Sequence, residues 1–297
     1  MPLLPNDYFS NWYIASLDGK ARILQSYNEI LQKETQAKKF LQGDIGNHIV
    51  DIGPKVYQLT ANCPILIIDV EVGSDPVYDI FDLVLENLDK IQSPITQADI
   101  DDENYKYIMK SANIQLGADS SNISTTLESW QEFNNSLVYN PTDYDFIARQ
   151  AKFYDIQFGV FGENYLVSNG TLNISVMSNQ NFYIPGYNSG FGNTVPLFDI
   201  GGYTVSGNVN VMVTPEQYNV LKFYNEQGPG IFSASKNSIY LKVLNRKVGS
   251  PNSDRRIDLG DFMFLPSVEL NITANQVITA NINFVTMFRR TSTVTLS

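Results

Sequence analysis

The sequence is poor in the residue types that most often carry enzymatic chemistry. Among 297 residues it has one cysteine, Cys63, and one histidine, His48. A single cysteine cannot form an internal disulfide, and a single histidine cannot supply the imidazole set of a zinc site. The sequence also lacks a phosphate-binding loop, a dinucleotide fingerprint and a Gly-x-Ser-x-Gly elbow. We therefore expect a protein that is not an enzyme, with no catalytic residues, no cofactor and no metal.

Positive charge is also scarce, since 20 lysines and arginines stand against 31 aspartates and glutamates. The formal net charge of -11 argues against binding to DNA or to an anionic membrane as the main role. An acidic protein can still line a passage through which DNA moves without adhering. No apolar run approaches the ~20 residues of a membrane span, and residues 1–6 do not resemble a secretory signal. We expect synthesis in a reducing cytoplasm, with Cys63 as a buried thiol.

What the sequence does contain is alternating stretches, of which the clearest spans residues 203–213. Threonine, serine and asparagine alternate there with small and branched apolar residues. A period of two places the polar and the apolar set on opposite faces of a sheet. Thr214 then suits a helix N-cap, Pro215 suits the first helical position, and Gln217 completes a capping box. The sequence predicts a strand with one wet face, followed directly by a helix.

Several segments occur twice in the same order. Residues 49–53 (IVDIG) resemble residues 197–201 (LFDIG), and residues 111–118 align without a gap with residues 267–274. Three further features follow in the same order in both copies. They are an apolar or alternating run, a proline at the start of a helix, and a closing strand. We interpret this pattern as an internal duplication, with insertions between the shared elements.

The duplication and the alternation together predict the fold class and the domains. We expect a mainly β protein with a few flanking helices. Its first domain would cover residues 1–135 and its second domain residues 153–297. Residues 136–152 have no clean period and would form the linker between them.

Two charged segments are expected to lie in solvent. The helix predicted to end near residue 91 has an apolar stripe and, beside it, a row of acids. These acids are Asp79, Asp82, Glu86 and Asp89. Residues 246–256 are basic and rich in turn formers, which is typical of a solvated hairpin tip.

A long segment without regular pattern interrupts the second copy at residues 178–196. It is rich in asparagine, glycine and aromatic residues, and loops of this length are usually functional or disordered. Because it lies inside an apparent hairpin, we interpret it as a contact arm. Its aromatic residues include Phe182, Tyr183, Tyr187 and Phe191.

The polar faces of the predicted strands carry asparagine, serine and threonine, whereas faces meant for bulk solvent usually carry lysine and glutamate. Small uncharged polar groups with a few acids suit a water-filled passage for a polyanion. An ordinary exposed sheet explains the same composition equally well.

These features together resemble the phage tail-tube family, which includes related baseplate hub and tube-initiator proteins. The resemblance rests on the hairpin with a long arm (171–201), the strand at 203–211, the Thr-Pro-Glu helix opening and the closing strand pair (267–286). It covers most of residues 153–297 and, more loosely, residues 9–128. It implies two tandem tail-tube-like domains, each of two packed antiparallel sheets plus a short helix.

In that family, copies of the domain form a ring whose inner sheets close into a β-barrel, and rings stack upon one another. By position, the resemblance implies that the side chains lining the lumen are Ser206, Asn208, Asn210, Glu269, Asn271, Thr279, Asn281, Asn283, Asn113, Gln115, Asn122 and Ser124. The arm at residues 178–196 would make ring-to-ring contacts, with Phe182, Tyr183 and Phe191 as its anchors.

The family commonly has one such domain per chain, whereas this chain carries two. The resemblance therefore implies a homotrimer that gives a pseudo-sixfold ring, or else a homohexamer. The chain would reside in the virion, contact neighbouring tail or baseplate proteins, and let DNA pass without specific binding. The alternative within the family is a baseplate hub or tube initiator. The alternative from another class is a carbohydrate- or receptor-binding β-protein.

Overall fold

A computed structural model gives the fold of most of the chain. The residues it describes are 13–17, 20–38, 49–72, 78–92, 107–129, 145–183, 196–226, 230–233, 239–244, 254–260, 262–273 and 276–289. The fold is mainly β, with one large antiparallel sheet and two small ones, which confirms the fold class expected from the alternation.

The elements follow the chain in two series. The first series is β1 (Tyr13–Leu17), β2 (Lys20–Leu24), β3 (Ser26–Lys38), β4 (Ile49–Pro64), β5 (Leu66–Val72), α1 (Ile80–Gln92), β6 (Tyr107–Leu116), β7 (Asn122–Ser129) and β8 (Asp145–Gln150). The second series is β9 (Ile156–Val160), β10 (Glu163–Tyr183), β11 (Pro196–Met212), α2 (Pro215–Glu226), β12 (Gly230–Ser233), β13 (Ile239–Val243), β14 (Arg255–Gly260), β15 (Phe262–Asn271) and β16 (Thr279–Arg289).

Strands from both series form one continuous antiparallel sheet. Its order is β12-β15-β16-β11-β10-β6-β7-β4-β3, and a branch of β9, β13 and β14 starts at the beginning of β10. The pairs β1–β2 and β5–β8 form two small sheets. The two series meet where β6 pairs with β10, so that Ser111 lies opposite Ser175 and Gln115 lies opposite Thr171.

The strand order is the same on both sides of this junction. We call β3-β4-β7-β6 the N-terminal unit and β10-β11-β16-β15 the C-terminal unit. One cross-strand row of the N-terminal unit consists of Asn28, Thr60, Thr126 and Ser111. The corresponding row of the C-terminal unit consists of Thr171, Asn208, Asn283 and Ser267. Ser111 thus corresponds to Ser267, as in the alignment of the two sequence segments.

The small hairpins follow the same correspondence. Leu17 pairs with Lys20 at the turn of β1 and β2, and Val160 pairs with Glu163 at the turn of β9 and β10.

The division into domains at residues 1–135 and 153–297 stays a prediction. Within the range assigned to the linker, β8 is a strand that pairs with β5. In the described part of the chain, no helix is long and apolar enough to cross a membrane.

The core lies on one side of the large sheet. The alternating apolar residues of its strands are buried, as the period of two predicts. Buried examples from the central strands are Leu59, Ala61, Ile114, Leu172, Ile174, Val205, Val209, Val211, Ala280 and Ile282. Full burial of a valine, leucine or isoleucine side chain contributes about 1.5–3 kcal/mol. Cys63 is fully buried among them, and burial, followed by the charge of Asp79, raises the pKa of its thiol.

Both helices pack on this apolar side. The predicted stripe of α1 is confirmed, since Ile80, Phe81, Val84, Leu88 and Ile91 are buried. The helix α2 buries Leu221 in the same core. The predicted capping box of α2 is also present: the backbone N–H of Gln217 donates to Thr214 Oγ1 at 3.3 Å, and Thr214 N–H donates to Gln217 Oε1 at 3.1 Å.

The prediction that the acids of α1 form a solvated face is wrong for its first turn. Asp79 is fully buried, and its Oδ2 accepts the N–H of Leu66 at 3.0 Å. Arg255 Nη1 lies 2.8 Å from Asp79 Oδ1 and 3.2 Å from Asp82 Oδ1, and its Nη2 donates to the carbonyl of Leu66. Arg255 was also expected in a solvated loop. It begins β14 instead and ties the second series to α1.

Asp82 has an unusual protonation equilibrium in this cluster. Burial, with the neighbouring charge of Asp79 as the second cause, raises the pKa of Asp82 to about 6, although Arg255 acts in the opposite direction. Further along α1, Glu86 accepts from Arg22 Nη2 and from Lys20 Nζ, each at 2.9 Å. Arg22 is fully buried, so this pair is also part of the packed structure.

β3 and β4 form a long hairpin. β3 continues to Lys38 and pairs with β4 as far as Ile49. Ile65 lies between the end of β4 at Pro64 and the start of β5 at Leu66. Ile65 N–H donates to the carbonyl of Ser121 beside the β6–β7 turn, and the Ile65 carbonyl accepts from Ala151 N–H, each at 2.8 Å.

Candidate functional site

The side chains predicted to line a lumen lie on one face of the large sheet. Cross-strand pairing places Asn208 opposite Asn283, and Asn210 opposite Asn281. It likewise pairs Asn281 with Glu269, and Thr279 with Asn271. These residues alternate with the buried apolar set, so they share the side of the sheet turned away from the core. We call this side the polar face.

The N-terminal unit contributes to the same polar face across the β6–β10 junction. Asn113 lies opposite Asn173, and Gln115 lies opposite Thr171, which in turn lies opposite Asn208. The predicted residues of both units therefore belong to one surface. Those that are exposed are Ser206, Asn208, Glu269, Asn271 and Gln115, and those partly buried are Asn210, Thr279, Asn281, Asn283, Asn113, Asn122 and Ser124.

Sequence reasoning missed part of this face. The pairing adds seven residues on β4, β7 and β10, namely Thr60, Asn62, Thr126, Asn169, Thr171, Asn173 and Ser175. On β4 a signal was present, because Thr60 and Asn62 alternate with Leu59, Ala61 and Cys63. This period of two is the sequence signal that could have found the residues of β4.

Hydrogen bonds between side chains link neighbouring strands across the polar face. Asn113 Nδ2 donates to Asn173 Oδ1 at 2.5 Å, across the β6–β10 junction. Asn208 Nδ2 donates to Asn283 Oδ1 at 2.5 Å, and Asn283 Nδ2 donates to Ser267 Oγ at 2.9 Å. Each such bond contributes about 0.5–1.5 kcal/mol. Two pairs of amides thus bond to each other across neighbouring strands.

Charge is rare on this face although the whole chain is acidic. Ser111, Asn113 and Gln115 each begin a cross-strand row that runs through β10, β11 and β16. Among the described residues of these three rows, none is a lysine or an arginine. Glu269 is an exposed acid, and Glu128 at one end forms an ion pair with Lys110 at 3.2 Å. The face is therefore polar and close to neutral.

The polar face changes character toward one end of β16. Val285 and Met287 alternate with Asn283 on the same side, and both are exposed. Val285 lies opposite Ser206, and Met287 lies opposite Thr204. The run of asparagines therefore ends at Asn283, and an apolar border follows it on this strand.

The large sheet ends on both sides with strand segments that have a strand neighbour on one side only, as far as the described part of the chain shows. On one side this is β3, which pairs with β4 alone. On the other side it is residues 267–271 of β15, because β12 pairs only with Phe262–Leu265. Unpaired edges of this kind expose backbone donors and acceptors that can add another strand.

The predicted arm begins as a continuation of the β10–β11 hairpin. Phe182 pairs with Leu197, and Tyr183 pairs with Pro196. Tyr187 and Phe191 lie outside the described residues. The assignment of Phe182, Tyr183 and Phe191 as anchors of ring-to-ring contacts stays a prediction. The β3–β4 hairpin is extended in the same way. Thr35 pairs with Ile52 in this hairpin, and the corresponding pair in the β10–β11 hairpin is Ser178 and Ile200.

The chain matches no family model and no curated protein. The resemblance to tail-tube proteins thus rests on the residues of this chain alone.

Proposed function

We propose that this protein is a structural, non-catalytic subunit of a phage tail of the tail-tube type. Copies would assemble into rings whose lumen is the polar face, and DNA would pass through without specific binding. In this proposal each chain supplies two tail-tube-like domains, so that three copies form a pseudo-sixfold ring. The protein would act in the virion after synthesis in the host cytoplasm.

The polar face is the observation that carries this proposal. Proteins that hold nucleic acid use lysine and arginine to release counterions from the phosphates. A surface of asparagine, serine and threonine amides and hydroxyls offers water many hydrogen bonds and offers phosphates few charges. Such a wall suits a passage that DNA must move along quickly. Glu269 adds a repulsive charge to the wall.

The repeated strand order gives a second line of support. Two units with one register already continue each other across the β6–β10 junction, where Asn113 bonds to Asn173. A third and further units could continue the sheet in the same way. Closure of the sheet into a ring removes the exposed edges of β3 and β15.

Electron microscopy of the purified protein in negative stain tests the proposed assembly. End views should show closed rings of two-lobed subunits around an open channel, and sedimentation should give a discrete species larger than one chain. Compact monomers at high protein concentration would contradict the proposal. They would favour a carbohydrate- or receptor-binding β-protein in its place.

The same images address the place of the protein along a tail. Long stacks of rings would favour the tail tube, because a tube subunit must bind copies of itself at both ends of the ring. Isolated rings or very short stacks would favour a baseplate hub or tube initiator. The paired backbone of the arm at Tyr183 and Pro196 is the element through which such stacking would act.

A further inference from the structure

We propose that β15 of one copy pairs with β3 of the next copy, in the register that β6 and β10 show within one chain. The interface is head-to-tail: each copy offers β15 on one side and β3 on the other. This inference rests on the proposed function, since it names the partner of each edge of the ring. Interfaces of this heterologous kind form closed rings when the rotation between copies closes.

The β6–β10 junction supplies the template. It joins residues Ser111–Leu116 to Gly170–Ser175 in antiparallel register. In the repeat, β15 corresponds to β6, and β3 corresponds to β10. The part of β15 that pairs with β16 alone, in the described residues, begins at Ser267. Ser267 corresponds to Ser111, the point where β6 starts to pair with β10. The open edge thus occupies the segment that the template uses.

Exposure of apolar side chains marks the same two edges. Leu116 of β6 is 6% exposed, whereas Ile272, at the corresponding place after β15, is 61% exposed. Ile174 of β10 is 1% exposed, whereas Leu31, at the corresponding place on β3, is 42% exposed. In each comparison, the residue beside a neighbouring strand is buried and its counterpart at an edge is not. A second copy that pairs like β6 and β10 would cover Leu31 and Ile272.

The template also fixes which residues meet. Gln115 faces Thr171 within the chain. Their counterparts are Asn271 and Asn28, so Asn271 of one copy should face Asn28 of the next. Both are exposed on the polar face, and their meeting would continue the row of amides from one copy to the next. The lumen would then be lined without a break between copies.

One inward position differs between the template and the interface between copies. Glu29 of β3 stands where Leu172 of β10 is fully buried. Charged residues that point inward on an edge strand disfavour pairing with other chains. The contact between copies is therefore weaker than the internal junction. The edge of β3 can remain open in the single chain until several contacts of a ring form together.

Cysteine cross-linking tests this register in the full chain. The double variant Asn28→Cys with Asn271→Cys should form disulfides between copies under mild oxidation, because paired Cα atoms in a sheet lie within disulfide range. The matched control is Ser26→Cys with Glu269→Cys. Both of its sites are exposed on the same face, but the proposed register separates them by four residues along the strands. The native Cys63 is fully buried and does not compete.

In non-reducing gels we expect a ladder of covalent multimers for the first double variant, with at least ~10-fold less cross-linked product for the control. Each single-cysteine variant should remain uncross-linked, since a head-to-tail contact does not bring a residue to its own copy. Rings that form without the Asn28–Asn271 cross-link would overturn the inference and leave the proposed function standing. Cross-linking by Asn28→Cys alone would also overturn it, because it shows symmetric pairing of β3. Monomers that never assemble would count against both.

Discussion

Replacement of Arg255 by methionine should lower the free energy of unfolding by about 3–5 kcal/mol, the usual cost of removing one partner of a buried ion pair. Methionine keeps an unbranched apolar chain in place and removes the guanidinium. Asp79 is fully buried and faces Arg255 Nη1 at 2.8 Å. The variant leaves that carboxylate with backbone N–H donors alone, and it also removes a donor to the carbonyl of Leu66. Urea denaturation followed by circular dichroism measures the loss.

The adjacent Arg256 provides the control. Its side chain is 42% exposed and forms an ion pair with the exposed Asp258 at 2.6 Å. Its guanidinium lies 3.8 Å from the centroid of the Tyr240 ring. Exposed pairs and exposed cation–π contacts contribute about 1 kcal/mol or less each. Arg256→Met should therefore change stability far less than Arg255→Met. Equal losses for the two variants would show that Arg255 does not hold α1 to β14 as described.

Aspartate at two corresponding positions, Leu116 and Ile272, should affect different properties: the stability of the single chain in the first case and assembly in the second. Leu116→Asp should destabilise the single chain by about 3 kcal/mol or more, because it removes a buried side chain and buries a carboxylate at the β6–β10 junction. Ile272→Asp should leave the single chain as stable as the wild type, since Ile272 is 61% exposed. It should instead raise the concentration needed for assembly about 10- to 100-fold, because each contact between copies loses about 1.5–3 kcal/mol of apolar burial.

Val277→Asp is the matched control for Ile272→Asp. Val277 is 63% exposed, but it precedes β16, which already has strand neighbours on both sides. We expect its assembly to follow the wild type in sedimentation velocity experiments over a concentration series. If Ile272→Asp and Val277→Asp assemble alike, the end of β15 is not part of the contact between copies.

The sequence predicted the alternating strands well because their signal is local. A period of two at residues 203–213 defines which side chains share a face, whatever lies beside them. The capping box at Thr214 and Gln217 is likewise contained in four residues. The alignment of residues 111–118 with 267–274 makes Ser111 equivalent to Ser267, and the strand pairing places these two residues at equivalent positions. Most of the polar face follows from these patterns.

The ion cluster could not be predicted from the sequence, because its partners are far apart along the chain. Asp79 and Arg255 meet only after α1 and β14 have packed together. A row of acids beside an apolar stripe has the same pattern whether it lies in water or under a buried arginine. The continuous sheet was also beyond the sequence, since pairing of β6 with β10 depends on which edges remain open after each unit folds.

The central claim is that the polar face lines the channel of a ring, and a gold label placed on each side of the sheet tests it most directly. A small maleimide–gold cluster would be attached to Asn208→Cys on the polar face or to Lys222→Cys on α2, which covers the apolar side. Both sites are exposed and Cys63 is buried. In end views by electron microscopy, we expect the gold of Asn208→Cys inside the channel and that of Lys222→Cys on the outer rim. Gold from Asn208→Cys on the outer rim would contradict the account.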